Sequence, residues 1–349
     1  MIRKTIAFAL VAVFGLALTA RADGVADFYR SKTVKILVGS GVGAGYDHFA
    51  RATVRFLKLP GNPTIIVQNM PGAGGLIAAN YLYKIAPKDG SIIGLINRYT
   101  VVQAIIGNKR AEYDPTKFIW LGTPATYEED PYVLIVRSDH PLKTVEDIRN
   151  AKEPLIVGNT GSDIARILSP ALGMKVKVIE YKEKGAVDIA IERGEVDAMG
   201  IAYANLRVRH PDWIEKKKVR ALVQFVRKRS PMLPDVVASS ELALSREQQS
   251  LLSFVEIPLS AAYPFVLSPG LPEDRVAAIR KAFDEVLVHP AYKQEILKQG
   301  LAYSPKNGEE VAQYIKELLA APPEAIARYK EYVGVRGGKK KKDKKKKSE

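Results

Sequence analysis

The chain has 349 residues, 47% of them apolar, and no cysteine. That length buries a sizeable core in about two domains, and the lack of thiols excludes a disulfide scaffold, a cysteine-ligated zinc site and a thiol nucleophile. The formal charge of +15 sits largely at the ends: 334–349 holds Arg336 and eight lysines against Asp343 and Glu349, and Arg3, Lys4 and Arg21 stand near the start, leaving +5 on 23–333. No basic stripe with interleaved aromatics runs through that body, so nucleic acid is not an expected partner.

In chain order, a positive Met1–Lys4 precedes the apolar run Thr5–Ala20, and Ala20-Arg21-Ala22 reads as a cleavage site. This predicts a signal peptide over 1–22 and a periplasmic protein beginning at Asp23. An uncleaved anchor is the alternative, for which the run is short of the roughly 20 residues a span needs. Strands are predicted at Val34–Val38, Thr64–Gln68, Ile92–Ile96, Val133–Val136, Leu155–Val157, Lys177–Glu180, Ala198–Ile201, Arg220–Phe225 and Ala262–Leu267. Helical spacing predicts Asp47–Leu57, Gly74–Lys84, Asp163–Leu172, Ala186–Arg193, Glu273–Val288 and Gly308–Leu319, with Thr144 opening a further helix ahead of Glu146 and Asp147. Short Val/Ile-rich strands separated by helical lengths argue an α/β class. No internal repeat is visible. The lysine-rich 334–349 has nothing to bury, so disorder is expected there, either as a solvated extension or as a tether to an anionic surface.

Two loops carry the chemistry. Gly39-Ser-Gly-Val-Gly-Ala-Gly-Tyr46 joins a predicted strand to the helix at Asp47. Glycines let a ligand approach the main chain, and the first N–H groups of a helix, with its dipole, favour an anion. Gly39, Gly41 and Ala44 fit a loose dinucleotide pattern, but the next strand ends in Gln68-Asn69 where a ribose-binding acid would stand. No GxxxxGK[ST] occurs. The second loop, Gly158-Asn-Thr-Gly-Ser-Asp163, repeats the design, with Thr160 or Ser162 also able to cap the helix that follows. Two such loops on two βα domains would enclose a small anion. A tight turn alone also accounts for the glycines.

Catalytic and metal patterns are missing. The histidines at 48, 140, 210 and 289 are scattered, no HExxH or GxSxG occurs, and adjacent helical residues such as Asp47 and His48 point apart. No metal or cofactor is expected.

The segments VKILVGSGVGAGYDHFAR (Val34–Arg51), IIVQNMPGAGGLIAANYLY (Ile65–Tyr83), APKDGSIIGLI (Ala86–Ile96), YDPTKFIWLG (Tyr113–Gly122), VIEYKEKGAVDIAIERGEVDAMG (Val178–Gly200), RSPMLPDV (Arg229–Val236) and PFVLSPGLPEDRVAAIRKAFDEVL (Pro264–Leu287) are specific. In them the chain resembles the Bug, or TctC-like, extracytoplasmic receptors of tripartite tricarboxylate transporters. The resemblance implies a type II periplasmic-binding-protein fold, with two βα lobes, a hinge and an interlobe ligand cleft. The lobes would be 23–123 with 229–333, and 124–228. It implies a monomeric, non-catalytic receptor that passes a small organic anion, a di- or tricarboxylate, hydroxy or aromatic acid, to membrane permease subunits. It places the ligand carboxylate on Ser40, Gly41, Gly43, Gly45, Tyr46 and Asp47 and on Asn159, Thr160, Gly161, Ser162 and Asp163. The distal end of the ligand would meet Tyr99, Thr100, Tyr181, Tyr203 and Asn205, the tyrosines being equally suited to packing. Tyr46 stands where many members carry a small hydroxyl. Asp47 and Asp163 would repel a carboxylate unless they turn away, serve their helices, or meet a hydroxyl or ammonium group. A hydrolase using Ser40 or Ser162, and a sensor subunit signalling to a membrane kinase, are the rival functions.

Overall fold

The computed structural model describes residues 24–160, 167, 171–181 and 183–333. The expected signal peptide, the lysine-rich tail and most of the expected helix Asp163–Leu172 lie outside the described residues. Among these, no helix is long and apolar enough to cross a membrane.

The strands are β1 (Thr33–Val38), β2 (Thr64–Asn69), β3 (Ile92–Leu95), β4 (Ile119–Thr123), β5 (Tyr132–Arg137), β6 (Leu155–Asn159), β7 (Val176–Glu180), β8 (Ala198–Ala202), β9 (Val219–Gln224), β10 (Phe265–Leu267) and β11 (Lys306–Asn307). The helices are α1 (24–30), α2 (Gly45–Phe56), α3 (Leu76–Lys84), α4 (Thr100–Ile105), α5 (Val145–Asn150), α6 (Lys184–Glu192), α7 (Tyr203–Arg209), α8 (Pro211–Glu215), α9 (Arg246–Glu256), α10 (Glu273–Val288), α11 (Pro290–Lys298), α12 (Gly308–Leu319) and α13 (Pro323–Tyr332). Each strand predicted from sequence has its counterpart. The α/β class holds, with antiparallel strands added to the expected βα pattern.

The chain forms two compact units. One takes the chain to Ala104, Lys109–Thr126 and Leu259–Lys316; the other takes Ile105–Asn108, Tyr127–Pro258 and the chain from Glu317. This differs from the expected division, which placed all of 229–333 with the first lobe. Local bonds explain the difference. The Gln224 side chain donates to Leu233 O and Val236 O, tying 229–238 to β9. The Phe254 ring of α9 meets the Tyr329 ring of α13 at 5.3 Å, and Glu247 pairs with Arg328.

In the first unit the sheet order is β11-β4-β10-β3-β1-β2. β1 is parallel to β2 and β3, with Val38 opposite both Asn69 and Leu95, while β10, β4 and β11 add antiparallel pairs. The chain therefore steps from β1 to one neighbour and returns to the other side for β3. Such a reversal opens a crevice at the carboxyl ends of the strands. Phe49 and Ala50 of α2, Leu82 of α3, Phe265 and Phe283 fill the core, each large apolar side chain worth about 1.5–3 kcal/mol on burial. Gly94 of β3 is required by packing, because a Cβ there would collide with the Leu82 side chain.

The second unit repeats the arrangement in the order β7-β6-β8-β5-β9. β6 is parallel to β7 and β8, and β5 is antiparallel to both β8 and β9. Its crevice lies at the carboxyl end of β6. Val133, Ile135, Val187, Val196 and Trp213 are at the centre of its core. Thr144 starts α5 as predicted: its hydroxyl accepts from Asp147 N–H at 3.0 Å, and the Asp147 carboxylate accepts from Thr144 N–H at 2.9 Å, a reciprocal cap.

Candidate functional site

On the first unit, β1 delivers the chain into 39–44, where Gly41, Val42 and Gly43 are exposed. Gly43 has φ +79°, a left-handed turn that favours glycine. Helix α2 begins at Gly45, two residues before the predicted start, so Gly45, Tyr46 and Asp47 form its first turn. Ala44 occupies the N-cap with extended backbone, and an alanine offers no side-chain acceptor to the helix's first N–H groups.

Asp47 explains the early start. Its Oδ2 accepts from Gly43 N–H and from Arg51 Nε, both at 2.9 Å, and its Oδ1 accepts from Asn69 Nδ2 at 3.0 Å. Asn69, at the end of β2, also donates to Ser40 O at 3.1 Å. Burial alone would raise the pKa of this 2%-exposed carboxyl; the Arg51, Gly43 and Asn69 bonds outweigh it and pull the pKa down to about 2. Asp47 therefore stays ionised and turned inward, with its charge met by Arg51, and braces the loop. The repulsion its sequence position suggested is relieved. The Ser40 hydroxyl is buried and has no hydrogen-bond partner among the described residues.

Tyr46 does not stand open in the loop. Its ring meets Tyr263 edge-on at 4.9 Å, Tyr263 packs on Phe49 at 4.2 Å, and its hydroxyl oxygen accepts from Arg98 N–H and Arg98 Nη1 at 3.2 Å. Arg98 follows β3 at the same sheet edge and also donates to Ala262 O at 3.0 Å; its guanidinium lies 5.5 Å from the Tyr99 ring centre. Thr100 is buried and spends its hydroxyl on Asn97 O at 2.7 Å, a helix-start bond. Asn69, Arg98 and Tyr263 escaped the sequence reading. The only local signals were the Gln68-Asn69 strand end and the lone cation after β3.

On the second unit, buried Asn159 ends β6 and donates from Nδ2 to Glu180 Oε1 at 2.9 Å, while its carbonyl accepts from Tyr181 N–H at 2.7 Å. Thr160 follows, half-buried. Gly161, Ser162 and Asp163 lie outside the described residues. Tyr181 and Tyr203 pack against the core around Trp213, the structural role open to them, and Asn205 lies half-buried on α7. The structure thus gathers 40–47 with Tyr99 at one edge of the first sheet, and 159–160 with 181, 203 and 205 at one edge of the second.

Two surface cavities of the first unit, about 460 and 520 Å³, lie elsewhere, against α10. Among the described residues no cluster of histidine and acidic side chains is arranged to hold a metal ion.

The chain belongs to the tripartite tricarboxylate transporter receptor family, whose model matches residues 57–328. A UPF0065 protein of Cupriavidus necator is 28% identical over 331 residues, covering 89% of this chain and 91% of that protein. In fold the chain is similar to a TctC solute-binding protein from Polaromonas, with TM-score 0.65, 20% identity, and coverage of 88% of this chain and 99% of that one. It is also similar to MatC from Rhodopseudomonas palustris, a structure with bound malate, with TM-score 0.59, 22% identity, and coverage of 86% and 99%. The family and its structural neighbours are solute-binding receptors, so this chain is a receptor and not an enzyme.

Proposed function

We propose that this receptor captures a small organic carboxylate in the periplasm and delivers it to the membrane permease subunits of a tripartite tricarboxylate transporter. The observation that carries the reading is the amino end of α2. Its N-cap is an alanine, the neighbouring Ser40 hydroxyl is buried without a partner among the described residues, and the one acid of the first turn is saturated by Gly43, Arg51 and Asn69. A carboxylate fits such a terminus by accepting from its amides and the serine hydroxyl. Arg98 at the same edge adds a positive charge. Binding of malate by MatC is in keeping with this class of ligand.

The test is a thermal-shift screen of the purified protein against dicarboxylates, tricarboxylates, hydroxy acids, amino acids and aromatic acids. A ligand at 100 times its dissociation constant adds about 2.7 kcal/mol of stability, several degrees in melting temperature. A carboxylate hit that weakens on Ser40→Ala supports the reading. A folded protein that answers to none of the panel overturns it.

A further inference from the structure

The second unit holds an acid whose bonding is unlike that of Asp47. Asp130 stands two residues before β5, which runs antiparallel to β8 with Tyr132 opposite Ala202. β8 is parallel to β6, whose carboxyl end carries Asn159 and Thr160. Asp130 therefore lies at the edge of the sheet where the second loop emerges, beside the start of α7. Tyr203 N–H donates to Pro131 O at 2.9 Å, fixing that neighbourhood.

Asp130 is 6% exposed. Its Oδ2 accepts from Arg207 Nη2 at 2.6 Å, and the Ala204 N–H of the first turn of α7 also faces the carboxyl. Its Oδ1 is buried and has no hydrogen-bond partner among the described residues. Bracing α7 needs one oxygen. A carboxylate has about four acceptor sites, and a buried oxygen left without a donor is costly. Burial is also the main reason that the pKa of this group is raised, with Arg207 and the Ala204 N–H pulling the other way. At the first unit's edge the same residue type is closed to a ligand, because Gly43, Arg51 and Asn69 use both oxygens of Asp47.

A plain carboxylate brings no proton to Oδ1 and leaves it unmet, whereas a group bearing a proton would satisfy it. We propose that Asp130 is a specificity-determining residue whose Oδ1 receives a hydrogen-bond donor, an ammonium or a hydroxyl, carried by the carboxylate ligand. This rests on the carboxylate-receptor reading above and narrows it to substituted acids.

The experiment is calorimetric titration of the purified protein with matched series: succinate, malate and aspartate, then propionate, lactate and alanine. The expected result is that a donor-bearing member of one series binds at least tenfold more tightly than its unsubstituted parent. Preference for the amino or the hydroxy acid then identifies the donor. Asp130→Asn should reduce that ratio to threefold or less, since an amide oxygen kept toward Arg207 leaves Nδ2 facing the ligand's donor. Parent acids binding as tightly as their substituted partners, or an undiminished ratio in folded Asp130→Asn, overturns the inference and leaves the carboxylate reading intact. No binding by any member overturns the inference and leaves the carboxylate reading to the wider thermal-shift panel above. Should the variant fail to fold, the ratio in the unaltered protein decides the matter.

Discussion

Replacing Asp47 by asparagine removes a charge and misplaces a donor. The native carboxyl titrates at about 2, against 3.8 for an unperturbed aspartate. At roughly 1.4 kcal/mol per decade of proton affinity, the ionised state contributes about 2 kcal/mol to folding. This is a ceiling, because Arg51 is half exposed and screened by salt. Because the folded pKa is depressed, the stability is present above 3.8 and is lost as the pH falls through about 2. Asparagine also brings an NH₂ group against Asn69 Nδ2, Gly43 N–H or Arg51, leaving at least one buried donor unmet for a further cost of about 1–3 kcal/mol. Urea unfolding of both proteins at pH 7 and near pH 2 is the assay. The expected deficit of Asp47→Asn is about 3 kcal/mol at pH 7, shrinking by about 2 at the acid end. No deficit at pH 7, or a deficit that does not change with pH, would refute the role given to the ion pair and the three donors.

Glu256, almost wholly buried in α9, accepts from Ser239 Oγ at 2.5 Å, and burial pushes its pKa up to about 7 from 4.5, with Ser239 and Arg227 opposing. Its folded pKa is raised, so the stability it gives is full below 4.5 and lost as the pH rises through about 7; Glu256→Gln should gain up to about 3 kcal/mol at pH 8 and nothing at pH 4, read by melting temperature across pH. Ala44→Asp supplies the missing cap to α2 and should stabilise the protein alone by about 1 kcal/mol while weakening carboxylate binding at least tenfold, measured by unfolding and titration on the same sample. Gly94→Ala forces a methyl against Leu82 and should cost about 1–3 kcal/mol in denaturant unfolding. Thr144→Ala removes a reciprocal cap and should cost about 1 kcal/mol, with a melting temperature a few degrees lower.

The strands were legible because each is a short run of β-branched and aliphatic residues broken by glycine or polar residues, as at Val34–Val38 before Gly39. β4 and β11 were missed for opposite reasons: Ile119-Trp-Leu ends in Gly122-Thr123 and reads as a turn, and β11 is two residues long. The start of α2 was placed late because Gly45 and Tyr46 are modest helix formers. What holds them in the helix is Asp47 reaching back to Gly43, together with Asn69 from the next strand. Bonds of that range leave no periodicity. The same is true of Asp130 with Arg207, 77 residues apart, and of Tyr46 with Tyr263, whose ring contact no local pattern announces.

These details bear on how such a receptor chooses its ligand. Amides at a helix start, with one serine hydroxyl, recognise any carboxylate and carry no information about the rest of the molecule. In the function proposed here the glycine loop of the first unit would be of this kind, and Asp47, neutralised by Arg51 and turned inward, keeps it shaped without adding charge toward an anion. A loop held by its own bonds need not be ordered by the ligand, which removes part of the entropic cost of binding. Discrimination must then come from side chains beyond those amides, and on this chain the strongest candidates are charged. On the first unit Arg98 would extend the attraction for an anion, and on the second the proposed role of Asp130 would add a demand for a ligand proton. With Asp130 in the role proposed for it, plain acids would be selected against, because an unsubstituted skeleton would leave its Oδ1 buried and unmet.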